Sequence, residues 1–137
     1  MNSEQTNLKF FEPMTHLFVK DVNVSISFYI DNFGFIETFR DKKSGPPDHV
    51  ELKLNQFQLA ISSISAARNI HGLDVGGNLP KGEIVFWTEN VDEVYKSLIE
   101  RGVKGVKEPH DFRTKMRPAW IADPDNNLIQ IVSKKNE

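Results

Sequence analysis

Residues 14–35 read MTHLFVKDVNVSISFYIDNFGF, and residues 82–103, GEIVFWTENVDEVYKSLIERGV, repeat the plan: an alternating strand, a polar step, an amphipathic helix and a glycine stop. In the first copy Met14, His16 and Phe18 fall on one face of the strand, with Thr15, Leu17 and Val19 on the other. Asp21 or Asn23 can cap the helix that follows. Its apolar stripe runs through Val22, Ile26, Tyr29, Ile30 and Phe33 to a left-handed stop at Gly34. Aligning Val22 with Val91 sets Met14 opposite Glu83, and duplicated modules of this kind usually meet around a shared cavity.

Working outward, three strands are expected at about 36–40, 49–54 and 57–62, the last two joined by a tight hairpin at Asn55 and Gln56. Residues 65–81 hold serines, alanines, glycines and a proline with no sustained period, and read as a linker. The second copy has its strand at 83–88, Asn90 and Glu93 as a capping-box-like start, and a stripe of Val91, Val94, Tyr95, Leu98 and Ile99 ending at Gly102. Strands near 103–107, 118–122 and 128–133 complete it, with Asp123 to Asn127 as a turn. The expected fold class is α+β, two βαβββ modules at 13–64 and 82–137 within a single domain spanning 13–137. An arm, 1–12, precedes it, in which Phe10 and Phe11 are expected to dock rather than stay in water.

The chain has 137 residues, enough for one core, whereas a single module would bury too little apolar surface to fold alone. A formal charge of −2 with scattered Lys and Arg gives no footprint for nucleic acid. The absence of cysteine excludes disulfides, thiolate zinc sites and cysteine nucleophiles, and fits a reducing compartment. No apolar run approaches ~18 residues and no basic segment leads into one, so neither a membrane span nor a signal segment is expected. The expectation is a cytoplasmic protein without membrane partners.

The motifs Val19-x-Asp21-Val22-x-x-Ser25-x-x-Phe28-Tyr29 with Phe33-Gly34-Phe35, then Asn90-Val91-Asp92 to Gly102-Val103, and Asp123-Pro124-Asp125-x-Asn127-x-Ile129 resemble the vicinal oxygen chelate superfamily. That group includes glyoxalase I, fosfomycin-resistance proteins, extradiol dioxygenases and bleomycin-resistance proteins; the segment from Pro109 to Val132 looks most like the bleomycin-resistance branch. The resemblance implies a U-shaped mixed sheet around a cavity and a homodimer with sites built partly from both chains. It does not select a reaction, because the fold hosts many.

The resemblance also implies where a divalent ion would sit in metal-using relatives: at the start of the first strand and on the last strand of each module. Here those positions hold Met14, Ala60, Glu83 and Gln130. A labile site needs hard oxygen or imidazole donors, which Met14 and Ala60 lack. His16 lies one pleat along the Met14 face. With Glu83 in reach it could serve acid-base work, the two being the catalytic candidates if the chain is an enzyme; alternatively it is a satisfied strand histidine. His49, Glu51 and Lys53 share a face that reads as solvated, and Arg113, Lys115 and Arg117 as a basic loop. Trp87 shares the face of Glu83 and Val85, so Met14, His16, Phe18, Glu83, Trp87, Trp120 and Gln130 are the expected lining of a ligand site that is largely apolar and aromatic.

These observations favour a metal-independent protein that sequesters a small organic molecule, with no cofactor. Bleomycin itself is a poor candidate, since a cleft for a cation should be distinctly acidic and the sequence pI is near 6.1. The alternatives are a divalent-metal-dependent lyase, isomerase or dioxygenase, and a non-catalytic regulatory or interaction module.

Overall fold

The computed structural model describes residues 9, 11–77, 80, 82–112 and 115–135. Its first module runs β1 (Thr15–Val19), α1 (Val22–Phe33), β2 (Ile36–Arg40), β3 (His49–Leu54) and β4 (Phe57–Ser63). After α2 (Ile64–His71), the second runs β5 (Glu83–Trp87), α3 (Val91–Glu100), β6 (Lys104–Lys107), β7 (Met116–Ala122) and β8 (Leu128–Lys134). Each module forms a four-stranded mixed sheet, ordered β1-β4-β3-β2 and β5-β8-β7-β6, with the first strand parallel to the last. The two βαβββ modules of the sequence reading are therefore present.

Local chemistry sets the element ends. The Asp21 side chain accepts from Val24 N at the start of α1, and Asn90 accepts from Glu93 N at the start of α3. Gly34, at φ 80°, closes α1 by donating its N–H to the Ile30 carbonyl, a conformation that a Cβ would strain. Asn55 and Asn126 take positive φ in their turns, as short amide side chains do.

Two expectations are corrected. The segment read as an irregular linker contains α2, capped by Ser63 on Ala66 N and stopped by Gly72. It spans only eight residues and buries only Ala67, so two turns give too short a run for a sustained period to be read in the sequence. Phe11, expected to dock, is 81% exposed, and Phe10 lies outside the described residues.

One apolar cluster spans both modules. Val22, Ile26 and Tyr29 of α1 pack with Val50, Leu52, Leu59 and Ile61, and the same cluster continues through Val91, Leu98, Ile121, Ile129 and Ile131. At the joint, Phe33 and Phe86 stack with ring centroids 4.4 Å apart. The Asp123 to Asn127 turn adds a polar clasp. Buried Asp123 accepts from Tyr29 Oη at 2.8 Å, Asn127 Nδ2 at 2.8 Å, Asn127 N at 2.7 Å and Asp125 N at 2.9 Å. Asp125 in turn accepts from Lys20 N at 2.9 Å and Ser25 Oγ at 3.4 Å. A buried carboxylate is tolerated when its lone pairs are filled in this way, so the turn fastens the second module to β1 and α1 of the first.

Candidate functional site

On the first sheet Leu17, Leu59, Ile61, Val50 and Leu52 join the core, so the opposite face carries His16, Phe18, Ala60, Ser62, His49 and Glu51. The register sets Ser62 beside both Phe18 and His49, and Ala60 beside both His16 and Glu51. Side chains on this face form one chain of hydrogen bonds. His16 Nε2 lies 2.7 Å from Ser62 Oγ, which lies 2.7 Å from His49 Nδ1, while His49 Nε2 is 2.9 Å from Glu51 Oε2. Aromatic rings flank it: Phe18 is 4.6 Å from His16 and Phe39 is 6.0 Å from His49, centroid to centroid.

The His49, Glu51 and Lys53 face, expected to be solvated, thus holds a partly buried network, and Ser62 is only 8% exposed. Partial burial, then the neighbouring His49, hold the His16 pKa below the ordinary imidazole value, with Glu51 pulling the other way. Neutral His16 is the form this environment favours.

The second sheet carries a separate polar cluster. Glu83 Oε1 accepts from Trp120 Nε1 at 2.6 Å and Glu83 Oε2 accepts from Gln130 Nε2 at 3.0 Å. The register that sets Trp120 beside Gln130 on adjacent strands produces this. His110 stacks on the Trp120 indole at 5.9 Å and is itself held by the Glu108 carbonyl. Val85 and Trp87 extend the same face, with Trp87 61% exposed.

The seven expected lining residues therefore divide between places. His16 and Phe18 join an open cavity of about 1340 Å³ bounded by β1, α2 with the loop after it, and the turn at Pro124 to Asn127. Glu83, Trp120 and Gln130 meet one another instead, Trp87 lies on exposed strand surface, and Met14 is exposed just before β1. The carboxylate reached by the histidine network is Glu51 rather than Glu83. Arg117, read as part of a basic loop, is neutralised by Asp92 and Asp111, while Arg113 lies outside the described residues.

At the four positions that the resemblance assigns to a divalent ion, the donor chemistry does not fit one. Met14 offers a thioether and Ala60 nothing, and both Glu83 oxygens already accept N–H bonds. Among the described residues, no three His, Asp or Glu side chains gather as a metal site would require. Of those residues too, no helix is long and apolar enough to cross a membrane.

Comparison with known proteins agrees with the fold. The profile of the Glyoxalase/Bleomycin resistance protein/Dioxygenase superfamily matches residues 12–131. The chain is 30% identical over 118 residues to the uncharacterized protein YraH of Bacillus subtilis (strain 168), covering 84% of this chain and 91% of that protein. Among solved structures, TioX from Micromonospora sp. ML1 superposes with a TM-score of 0.74 at 17% identity, covering 92% of this chain and all of that one. The fosfomycin resistance protein FosX from Listeria monocytogenes superposes at 0.70 with 18% identity, covering 93% and 96%. At these identities the likeness to the two structures is one of fold.

Proposed function

We propose that this chain, which belongs to the glyoxalase/bleomycin resistance protein/dioxygenase superfamily, binds and sequesters a small organic molecule without using a metal ion. The observation that carries this reading is the fate of the four metal positions: Met14 and Ala60 have no hard donor, and Glu83 is occupied by Trp120 and Gln130. What remains is surface suited to an organic ligand. Leu17, Phe18 and Ile64 give the large cavity apolar wall, and the rest of the lining is rich in polar side chains, among them His16, Lys20, Arg68, Asp74 and Asp125. Sequestration needs affinity and not turnover, so a lost metal site does not disable it.

The same reading includes a cytoplasmic homodimer. Ile36, Phe39, Val85 and Trp87 on the strands, with Met14 just before β1, are large apolar side chains left exposed on the single chain, and a partner's surface would cover them. Light scattering that returns the mass of one chain would remove the dimer.

Native mass spectrometry of the purified protein should show a bound organic mass and no stoichiometric metal. Protein soaked in divalent metal and desalted should carry none by elemental analysis. One ion per chain would instead favour a lyase, isomerase or dioxygenase, and a chain that retains neither favours an interaction module. With 4-nitroanisole as a neutral aromatic probe, Phe18→Ala should weaken binding about 5- to 30-fold, the loss of one aromatic contact of about 1–2 kcal/mol. If Trp87→Ala has that effect and Phe18→Ala does not, the ligand sits on the exposed β5 surface and not in the cavity.

A further inference from the structure

We propose that His16, Ser62, His49 and Glu51 form a proton-coupled recognition site for a planar ligand bearing a weakly acidic hydroxyl, a phenol or an enol, and that the site holds this ligand as its anion. The inference rests on the binding reading above and names the class of molecule bound.

Hydrogen-bond direction along the chain follows from what each group can do. A carboxylate only accepts, so His49 Nε2 carries the proton that meets Glu51 Oε2 at 2.9 Å. In neutral His49 the other nitrogen, Nδ1, is then a lone pair and must accept the Ser62 hydroxyl proton at 2.7 Å. Ser62 has only one proton to give. Its oxygen must therefore accept from His16 Nε2–H, also at 2.7 Å, which leaves Nδ1 of neutral His16 as a lone pair. His16 lines the large cavity, so the network ends in an acceptor suited to a ligand O–H.

Adding one proton reverses both bonds at Ser62 and leaves His49 donating to Glu51. The ligand O–H breaks and a bond to His16 Nδ1 forms; His16 Nε2 passes its proton to Ser62 Oγ, and Ser62 passes its own to His49 Nδ1. The product is neutral His16 with N–H toward the ligand anion, and a His49 imidazolium beside the Glu51 carboxylate. Charge is conserved: one anion appears on the ligand and one cation is stored against Glu51. An isolated histidine would have to keep that cation on its own ring.

The surroundings favour this ligand class. Phe18, which lines the cavity with its ring 4.6 Å from that of His16, offers a face for a conjugated plane. Charged groups facing His16 are His49 and Glu51 on β3, with Lys53 farther along that face, while β4 presents Gln58, Ala60 and Ser62. Lys20 and Arg68 line the cavity together with Asp74 and Asp125, so the wall's charges balance and selection for an anion falls to the network.

The test compares 4-nitrophenol with 4-nitroanisole, which has the same frame with its oxygen methylated. On wild-type protein the yellow phenolate band should persist to a pH about one unit below that of the free dye, a tenfold bias toward the anion. Glu51→Gln and Ser62→Ala should each shrink that bias and should weaken nitrophenol more than nitroanisole. Both variants are read, so that one folding poorly leaves the other to decide. Nitroanisole binding while nitrophenol titrates as it does in solution overturns the proposal and leaves the binding reading standing. An unchanged bias in either folded variant overturns it as well. Failure of both dyes to bind overturns the phenol class, and the adduct mass seen by native mass spectrometry judges the binding reading separately.

Discussion

Replacing Tyr29 by Phe removes one oxygen from the clasp between the modules and leaves the ring's packing in place. The hydroxyl donates to Asp123 Oδ2 at 2.8 Å in a site where both residues are buried. A hydrogen bond to a charged acceptor is worth about 1.5–3 kcal/mol. Asp123 keeps its bonds from Asn127 N, Asn127 Nδ2 and Asp125 N, so the carboxylate is not orphaned and the lower part of that range applies, about 1.5–2 kcal/mol. For a chain of this size that is a fall in Tm of roughly 5–8 °C by calorimetry. Asp123→Asn should cost more, because it turns an acceptor oxygen into a donor facing other donors, and the double variant should lose less than the sum of the two single changes. A second signature lies at alkaline pH. Burial first, and then the charge and hydrogen bond of Asp123, push the Tyr29 pKa up from the ordinary 10.0. Because the folded value is the higher one, this stability is fully present below pH 10.0 and declines as pH rises above it, and Tyr29→Phe should flatten the decline. A Tm change under about 2 °C, or an alkaline limb identical to wild type, would refute the clasp as the joint's main polar tie.

Two further predictions concern other sites. The His16 pKa is lowered in the fold, so the unfolded chain binds the proton more readily and stability should fall as pH drops through the ordinary value of 6.5; urea titrations of His16→Gln should show a shallower fall, and an unchanged slope would remove His16 as its source. Arg117 makes a two-point contact with Asp92 at 2.8 and 2.9 Å and a third bond to Asp111 at 3.0 Å. Arg117→Ala should lower Tm less than Tyr29→Phe does, its own loss shrinking in about 1 M salt, and Arg117→Lys should not restore it because the planar fork is lost. A salt-independent loss would point to packing instead.

What could be read from the sequence divides by the range of the interaction. The caps at Asp21 and Asn90, the stop at Gly34 and the strands around Asn55 and Gln56 depend on neighbours within a few residues, and they stand where the pattern placed them. Helix α2, bounded by Ser63 and Gly72, is only eight residues long, shorter than the run over which a helical period can be told from irregular chain. The His49 to Ser62 contact had a signal: a two-residue hairpin at Asn55 and Gln56 pairs Leu54 with Phe57 and, counting outward, His49 with Ser62. The facing of Trp120 follows in the same way from the turn between Ala122 and Leu128. His16 could not be placed so. It reaches Ser62 only through the parallel pairing of β1 with β4, a register that no local turn fixes.

The Asp123 to Asn127 turn belongs both to the clasp and to the cavity wall, where Pro124, Asp125, Asn126 and Asn127 face the space beside His16 and Phe18. The container is thus a property of the docked pair of modules and is owned by neither. Parting the modules would open this space as it breaks the clasp. Any molecule held there works as a fastener, with a hold on the joint that grows as the logarithm of its concentration over its dissociation constant.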